Sequence, residues 1–138
     1  MRHYACAIPV RDGRILLGRR APHRKAYPDR WDVIGGRVED GETVAQALVR
    51  ELGEEIGIVP VAWEELCSVV DAGPRERGEA TYHMHVVHAW TGDGPVMLND
   101  EHTALAWFTV EEACALPDLA LDDYRAVFLR LMRPGLVR

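Results

Sequence analysis

Three glutamates crowd into little more than one turn of a predicted helix. Glu51, Glu54 and Glu55 belong to the segment GRVEDGETVAQALVRELGEEIGI, residues 36–58. At 100° per residue, their side chains share one face about 100° wide. Like charges at this spacing repel by about 0.2–0.5 kcal/mol per pair. A solvated acidic face is one interpretation. A bound divalent cation is the other, because carboxylate oxygens suit Mg²⁺ or Mn²⁺.

The acidic face borders a stripe of apolar residues with helical spacing. The stripe consists of Val44, Ala47, Leu48, Leu52 and Ile56. Thr43 and Gln46 match the capping-box pattern at the helix start, and Gly57 predicts its end. Because the stripe is buried, the neighbouring carboxylates lie close to a low-dielectric region. There they need cations or protons to compensate their charge.

Strands and further helices are predicted around this helix. Alternating apolar and β-branched residues indicate strands at 3–10, 14–20, 31–34, 62–70, 80–90 and 103–110. Residues 111–116 predict a short helix, and residues 122–133 a closing amphipathic helix. This order predicts an α/β class, with a mixed sheet and helices on its faces. The length of 138 residues suits one domain, residues 1–138.

Composition narrows the function classes. The formal net charge of −6 argues against binding to a nucleic-acid polymer, which needs a basic surface. No apolar run is long enough to span a bilayer, and the N-terminus lacks a signal-peptide core. The three cysteines are far apart and predict neither a disulfide framework nor a zinc site. We therefore expect a cytoplasmic protein with no membrane partner.

The spacing from Gly36 to Ile58 resembles a known family signature. Written as Gx5Ex7RELxEExGI, it resembles the complete box of the Nudix hydrolases, including their MutT-like members. Segment 27–36 resembles the family's entry strand, and segment 99–116 its late strand and short helix. The resemblance thus extends over most of the chain.

The resemblance implies a Nudix fold, an α/β/α sandwich around a mixed sheet. It also implies that Mg²⁺ or Mn²⁺ supports hydrolysis of a nucleoside diphosphate linked to another group. Metal ligands are implied at Gly36, Glu51, Glu54, Glu55 and Glu101. Catalytic roles are implied at Arg50, Glu51, Glu54 and Glu101, with Arg50 orienting a glutamate. Which glutamate acts as general base stays open.

Weaker signals suggest substrate contacts outside the box. Arg19 and Arg24 belong to the most basic stretch of the chain and could bind phosphates, although such stretches are often only solvated. Tyr27 and Trp31 could stack on a base, with core packing as the alternative for Trp31. His83 and His85 share one face of a predicted strand and could line the cleft. No carboxylate or cysteine accompanies them at the spacing of a zinc site.

The sequence favours a small-molecule nucleotide as substrate, most of all a nucleoside triphosphate or a modified nucleotide. Two alternatives remain open. One is hydrolysis of ADP-ribose or another nucleotide sugar, which a proline at position 74 suggests by its distance from the box. The other is a nucleotide-binding module without turnover. The chain could act as a monomer or as a homodimer.

Overall fold

The computed structural model describes residues 2–73 and 78–132. Its strands are β1 (Arg2–Arg11), β2 (Arg14–Arg20), β3 (Trp31–Asp32), β4 (Ile34–Arg37), β5 (Val59–Asp71), β6 (Ala80–Thr91) and β7 (His102–Thr109). Its helices are α1 (Val44–Ile56), α2 (Val110–Cys114) and α3 (Tyr124–Arg130). Pro74, which suggested the nucleotide-sugar alternative, lies outside the described residues. None of the described helices is long and apolar enough to cross a lipid bilayer.

The sheet is mixed, and β1 lies at its centre. Strand β1 pairs in parallel with β6 and antiparallel with β2 and β4. Strand β5 forms one edge beside β6, while β3 and β7 both pair with β2. Because β4 follows β3 closely but pairs with β1, the chain brings Gly35 and Gly36 against the central strand. Cys6 faces Gly35 in this ladder, and Ala5 faces Gly36.

Side chains alternate along β1 and divide the core into two clusters. Ala5 and Ala7 pack with the apolar stripe of α1 on one face of the sheet. Cys6, Ile8 and Val10 pack with residues of α2 and α3 on the other face. Helices therefore cover both faces, which confirms the predicted α/β sandwich with a mixed sheet.

Helix α1 begins and ends as the sequence predicts. The hydroxyl of Thr43 accepts a hydrogen bond from the backbone N–H of Gln46 (3.1 Å), and the Gln46 side chain accepts one from the N–H of Thr43 (2.8 Å). Gly57 ends the helix in the left-handed conformation, with φ of 70°. A capping box of this kind fixes the start of the helix, and with it the register of the three glutamates.

Several predicted boundaries differ from the structure, and the strand predicted at 31–34 is divided into β3 and β4, which pair with different strands. Helix α3 begins at Tyr124, not at residue 122; Asp122 lies in the preceding turn, where its backbone carbonyl accepts a hydrogen bond from the N–H of Arg125 (3.1 Å). Strand β5 begins at Val59, three residues earlier than predicted. Pro60 is tolerated there because β5 is an edge strand with irregular register at this point.

Candidate active site

A cavity of about 350 Å³ opens beside the central strand. One group of its lining residues consists of Gly36 and the three carboxylates of Glu51, Glu55 and Glu101. A second group is aromatic: Tyr4, Tyr27, Tyr82 and Tyr124. The cavity thus joins clustered negative charge to flat apolar surfaces.

Close packing between Gly36 and Glu51 shapes the acidic group. The Glu51 side chain is only 12% exposed. A Cβ built on Gly36 would lie 2.5 Å from Glu51 Oε2 and closer still to the carboxyl carbon. Only glycine leaves room for the carboxylate at this position. Burial raises the pKa of Glu51, and its hydrogen bond to Arg50 opposes that shift.

Glu55 and Glu101 form a pair of neighbouring carboxyl groups in the same cavity. Glu55 is buried, and its Oε2 accepts a hydrogen bond from the backbone N–H of Gly35 (3.0 Å). Burial, followed by a hydrogen bond with Glu101, raises the pKa of Glu55 well above its ordinary value. The same hydrogen bond lowers the pKa of Glu101. Burial and the neighbouring carboxylate thus favour the neutral form of Glu55, and the hydrogen bond favours the charged form of Glu101.

Arg50 holds the loop before α1 against the helix. Its Nε and Nη2 donate to the two carboxylate oxygens of Glu42 at 2.7 and 2.9 Å. Its Nη1 donates to Glu51 Oε1 (2.7 Å), and Nη2 also donates to the carbonyl of Arg37 (3.0 Å). The guanidinium therefore fixes the orientation of Glu51, as a positioning residue would.

The donor set suits a hard divalent cation. Every candidate ligand around Gly36 offers oxygen, which Mg²⁺ and Mn²⁺ prefer. Among the described residues, however, no three acidic, histidine or cysteine side chains converge tightly enough to hold an ion as they stand. On the helix side, the Glu54 side chain is 58% exposed and lies 3.3 Å from Arg50 Nη1. The residues fit a metal if glutamate side chains rotate toward it.

The cavity gathers six of the residues that the sequence singled out. They are Gly36, Glu51, Glu55, Glu101, Arg24 and Tyr27. Arg50 and Glu54 belong to α1, as Glu51 and Glu55 do, but they do not line the cavity. Their roles, like those of the six, stay predictions.

Four candidate substrate contacts do not line the cavity, and their roles stay predictions. Arg19 pairs with Asp118 (3.0 Å), and Trp31 packs edge-to-face on Phe108 in the core, as its alternative interpretation held.

The other two candidates, His83 and His85, make their contacts outside the cavity. His83 stacks on His3, with their ring nitrogens 2.9 Å apart. His85 is buried, and its Nδ1 donates to the carbonyl of Cys6 (3.1 Å). The alternation of residues along the strand predicts that the two histidines share a face, but it does not predict which residues pack against that face.

Sequence reasoning missed Asp32 and His102, which also line the cavity. The buried Asp32 carboxylate accepts hydrogen bonds from Tyr124 Oη (2.7 Å), Arg20 Nη1 (3.0 Å) and the backbone N–H of Val33 (2.8 Å). A charged residue inside the apolar stretch WDVI was the available signal, because carboxylates are seldom buried without partners. Those partners lie up to 92 residues away, which local patterns do not reveal.

Comparison with known proteins agrees with this geometry. The sequence matches the NUDIX domain family over residues 1–131. It is 40% identical over 111 residues to a CTP pyrophosphohydrolase of Escherichia coli K12, covering 80% of this chain and 78% of that protein. It is 30% identical over 136 residues to the nucleoside triphosphatase NudI of Salmonella newport, covering 94% and 96% of the two chains.

Solved structures share the fold. The structure of a MutT NUDIX hydrolase from Burkholderia pseudomallei aligns with a TM-score of 0.82 and 30% identity, covering 95% of this chain and 98% of that one. The E. coli ORF135 protein aligns with a TM-score of 0.77 and 34% identity, covering 98% and 94%. Sequence, fold and the clustered carboxylates agree, and this chain belongs to the NUDIX family of hydrolases.

Proposed function

We propose that this Nudix hydrolase is a single catalytic domain that cleaves a nucleoside triphosphate between its phosphates with the help of Mg²⁺ or Mn²⁺. One observation carries the proposal: a single cavity holds both the clustered carboxylates and the half-buried rings of Tyr4, Tyr27 and Tyr82. A nucleoside triphosphate has matching parts, a charged phosphate chain and a flat base. The similarity to a CTP pyrophosphohydrolase makes CTP the first substrate to test.

The acidic group favours a reaction at phosphate. Carboxylates alone would repel a triphosphate, so substrate binding there requires cations. A bound divalent ion would neutralise phosphate charge and lower the pKa of a coordinated water. One of the glutamates would accept the proton of the attacking water. Arg50 would keep Glu51 in place through their 2.7 Å hydrogen bond.

The aromatic group favours a base. Tyr4 and Tyr82 stack on each other with ring centroids 5.1 Å apart, which gives a rigid platform. Tyr27 reaches the cavity from the loop between β2 and β3, where its hydroxyl donates to Asp71 Oδ2 (2.6 Å). Stacking on such rings tolerates different bases. The tyrosines therefore support a nucleotide and leave the choice of base to hydrogen bonds.

The test is product analysis with a nucleotide panel in Mg²⁺ and in Mn²⁺. CTP should give CMP and pyrophosphate, whereas Glu51→Gln should stay folded and lose about 100-fold or more in rate. Cleavage of ADP-ribose in preference to every triphosphate would favour the nucleotide-sugar alternative. Nucleotide binding without turnover by the wild type would favour a binding module and refute the proposal.

A further inference from the structure

Arg24 lies beside Glu101 because of how the loop between β2 and β3 is anchored. The backbone N–H of Ala21 donates to the Glu101 carbonyl (2.9 Å), and the N–H of Arg24 donates back to the Ala21 carbonyl (3.2 Å). This turn brings Arg24 Nη1 to 3.4 Å from Glu101 Oε2, at the wall of the cavity. Arg24 is thus a positive charge next to a predicted metal ligand.

The contact that holds Arg24 is weaker than that of its neighbour in the cavity. Arg20 donates to the Ala26 carbonyl (2.8 Å) and to Asp32 (3.0 Å), and its side chain is 14% exposed. Arg24 has the longer ion pair with Glu101, and the two side chains are 29% and 39% exposed. Exposed ion pairs contribute little to stability. Arg24 can therefore leave Glu101 at small cost, whereas Arg20 is fixed.

We propose that Arg24 is a transferable counter-ion, which neutralises Glu101 before a divalent cation binds and then moves to the phosphates of the substrate. The inference rests on the proposed function. Electrostatics gives the direction of the transfer. A cation bound at Glu101 takes over the neutralisation and repels the guanidinium, while the incoming phosphates attract it.

The test compares Arg24→Gln with Lys25→Gln. Lys25 is the next residue of the same loop, and its side chain is exposed and does not line the cavity. Both variants lose one positive charge. Mn²⁺ binding without nucleotide, followed by electron paramagnetic resonance, is the first readout. Binding of the non-hydrolysable analogue α,β-methylene-CTP at saturating Mn²⁺ is the second.

The two readouts should change in opposite directions. Without its competing charge, Arg24→Gln should bind Mn²⁺ about fivefold more tightly than wild type. It should bind the analogue about tenfold more weakly, because a charge-assisted hydrogen bond to phosphate is lost. Lys25→Gln should change both by less than about twofold, since its charge is screened by solvent. Arg24→Lys should restore part of both effects.

If Arg24→Gln and Lys25→Gln change Mn²⁺ binding and analogue binding to the same extent, the proposed transfer of Arg24 is wrong. Weaker Mn²⁺ binding by Arg24→Gln would also overturn it, since that would make Arg24 a mere support of the site. Hydrolysis by the wild type separates this failure from that of the proposed function. If the wild type cleaves CTP and the two variants behave alike, only the transfer is wrong. If the wild type neither binds nor cleaves any nucleotide, the proposed function itself is wrong.

Discussion

Gly36→Ala should damage catalysis while leaving the fold almost intact. Gly36 has no positive φ, so alanine suits its backbone. The added Cβ would lie 2.5 Å from Glu51 Oε2, whereas ordinary contact begins at 3.4 Å. The carboxylate must therefore withdraw by at least about 0.9 Å, and a displacement near 1 Å can reduce a rate about 100-fold. This corresponds to about 2.7 kcal/mol of transition-state stabilisation.

The assay is kcat/KM for CTP together with a thermal unfolding midpoint. Glu51 can move as the end of a flexible side chain, so we expect the midpoint to fall by no more than about 4 °C. Gly53→Ala, on the helix that carries Glu51, is the matched control, because its Cβ would meet nothing within 4 Å. Unchanged activity in Gly36→Ala would refute the role of this close contact. A large loss of stability in that variant would show that the glycine serves the fold instead.

Further predictions concern the residues around the cavity. Gly53→Ala should raise the stability by about 1 kcal/mol at unchanged kcat/KM, as measured by urea unfolding, because a mid-helix glycine costs about that much relative to alanine. Arg50 lowers the pKa of Glu42 from 4.5 to about 2, so this carboxylate stabilises the fold above about pH 4.5 and loses that effect as the pH falls toward 2. The difference in urea midpoint between wild type and Glu42→Gln should accordingly be constant above pH 5 and shrink below pH 4.5. Tyr27→Phe keeps the ring and should leave the KM for nucleotide within about threefold of wild type. Tyr27→Ala should raise the KM about tenfold or more, since stacking contributes about 1–3 kcal/mol per base. Equal KM values for the two variants would refute the stacking role.

Local patterns predicted most of the fold. Thr43, Gln46 and Gly57 delimit α1 because capping depends on residues that are neighbours in the chain. The alternation along β1 likewise gives both faces of the sheet. The start of β5 shifted because a contact outside the local pattern decides it: Pro60 pairs with Trp90 of β6.

The candidate site was predictable only in part. Spacing alone brought Glu51 and Glu55 to one face, since a helix has a fixed period. It did not predict that Glu54 would turn toward solvent, because that depends on its contact with Arg50. Asp32 was missed for a related reason: its partners Arg20 and Tyr124 come from β2 and α3. Pairings between distant segments follow from the fold and not from local spacing.

The central claim is that the carboxylate-lined cavity hydrolyses a nucleoside triphosphate with a divalent metal. Its most direct test is to incubate the purified chain with CTP and Mg²⁺ or Mn²⁺, with and without a chelator, and to identify the products. We predict CMP and pyrophosphate, formed only with metal and lost in Glu51→Gln. Turnover that persists with the chelator, or the absence of turnover for CTP and every other triphosphate by a folded, metal-bound chain, would contradict the account.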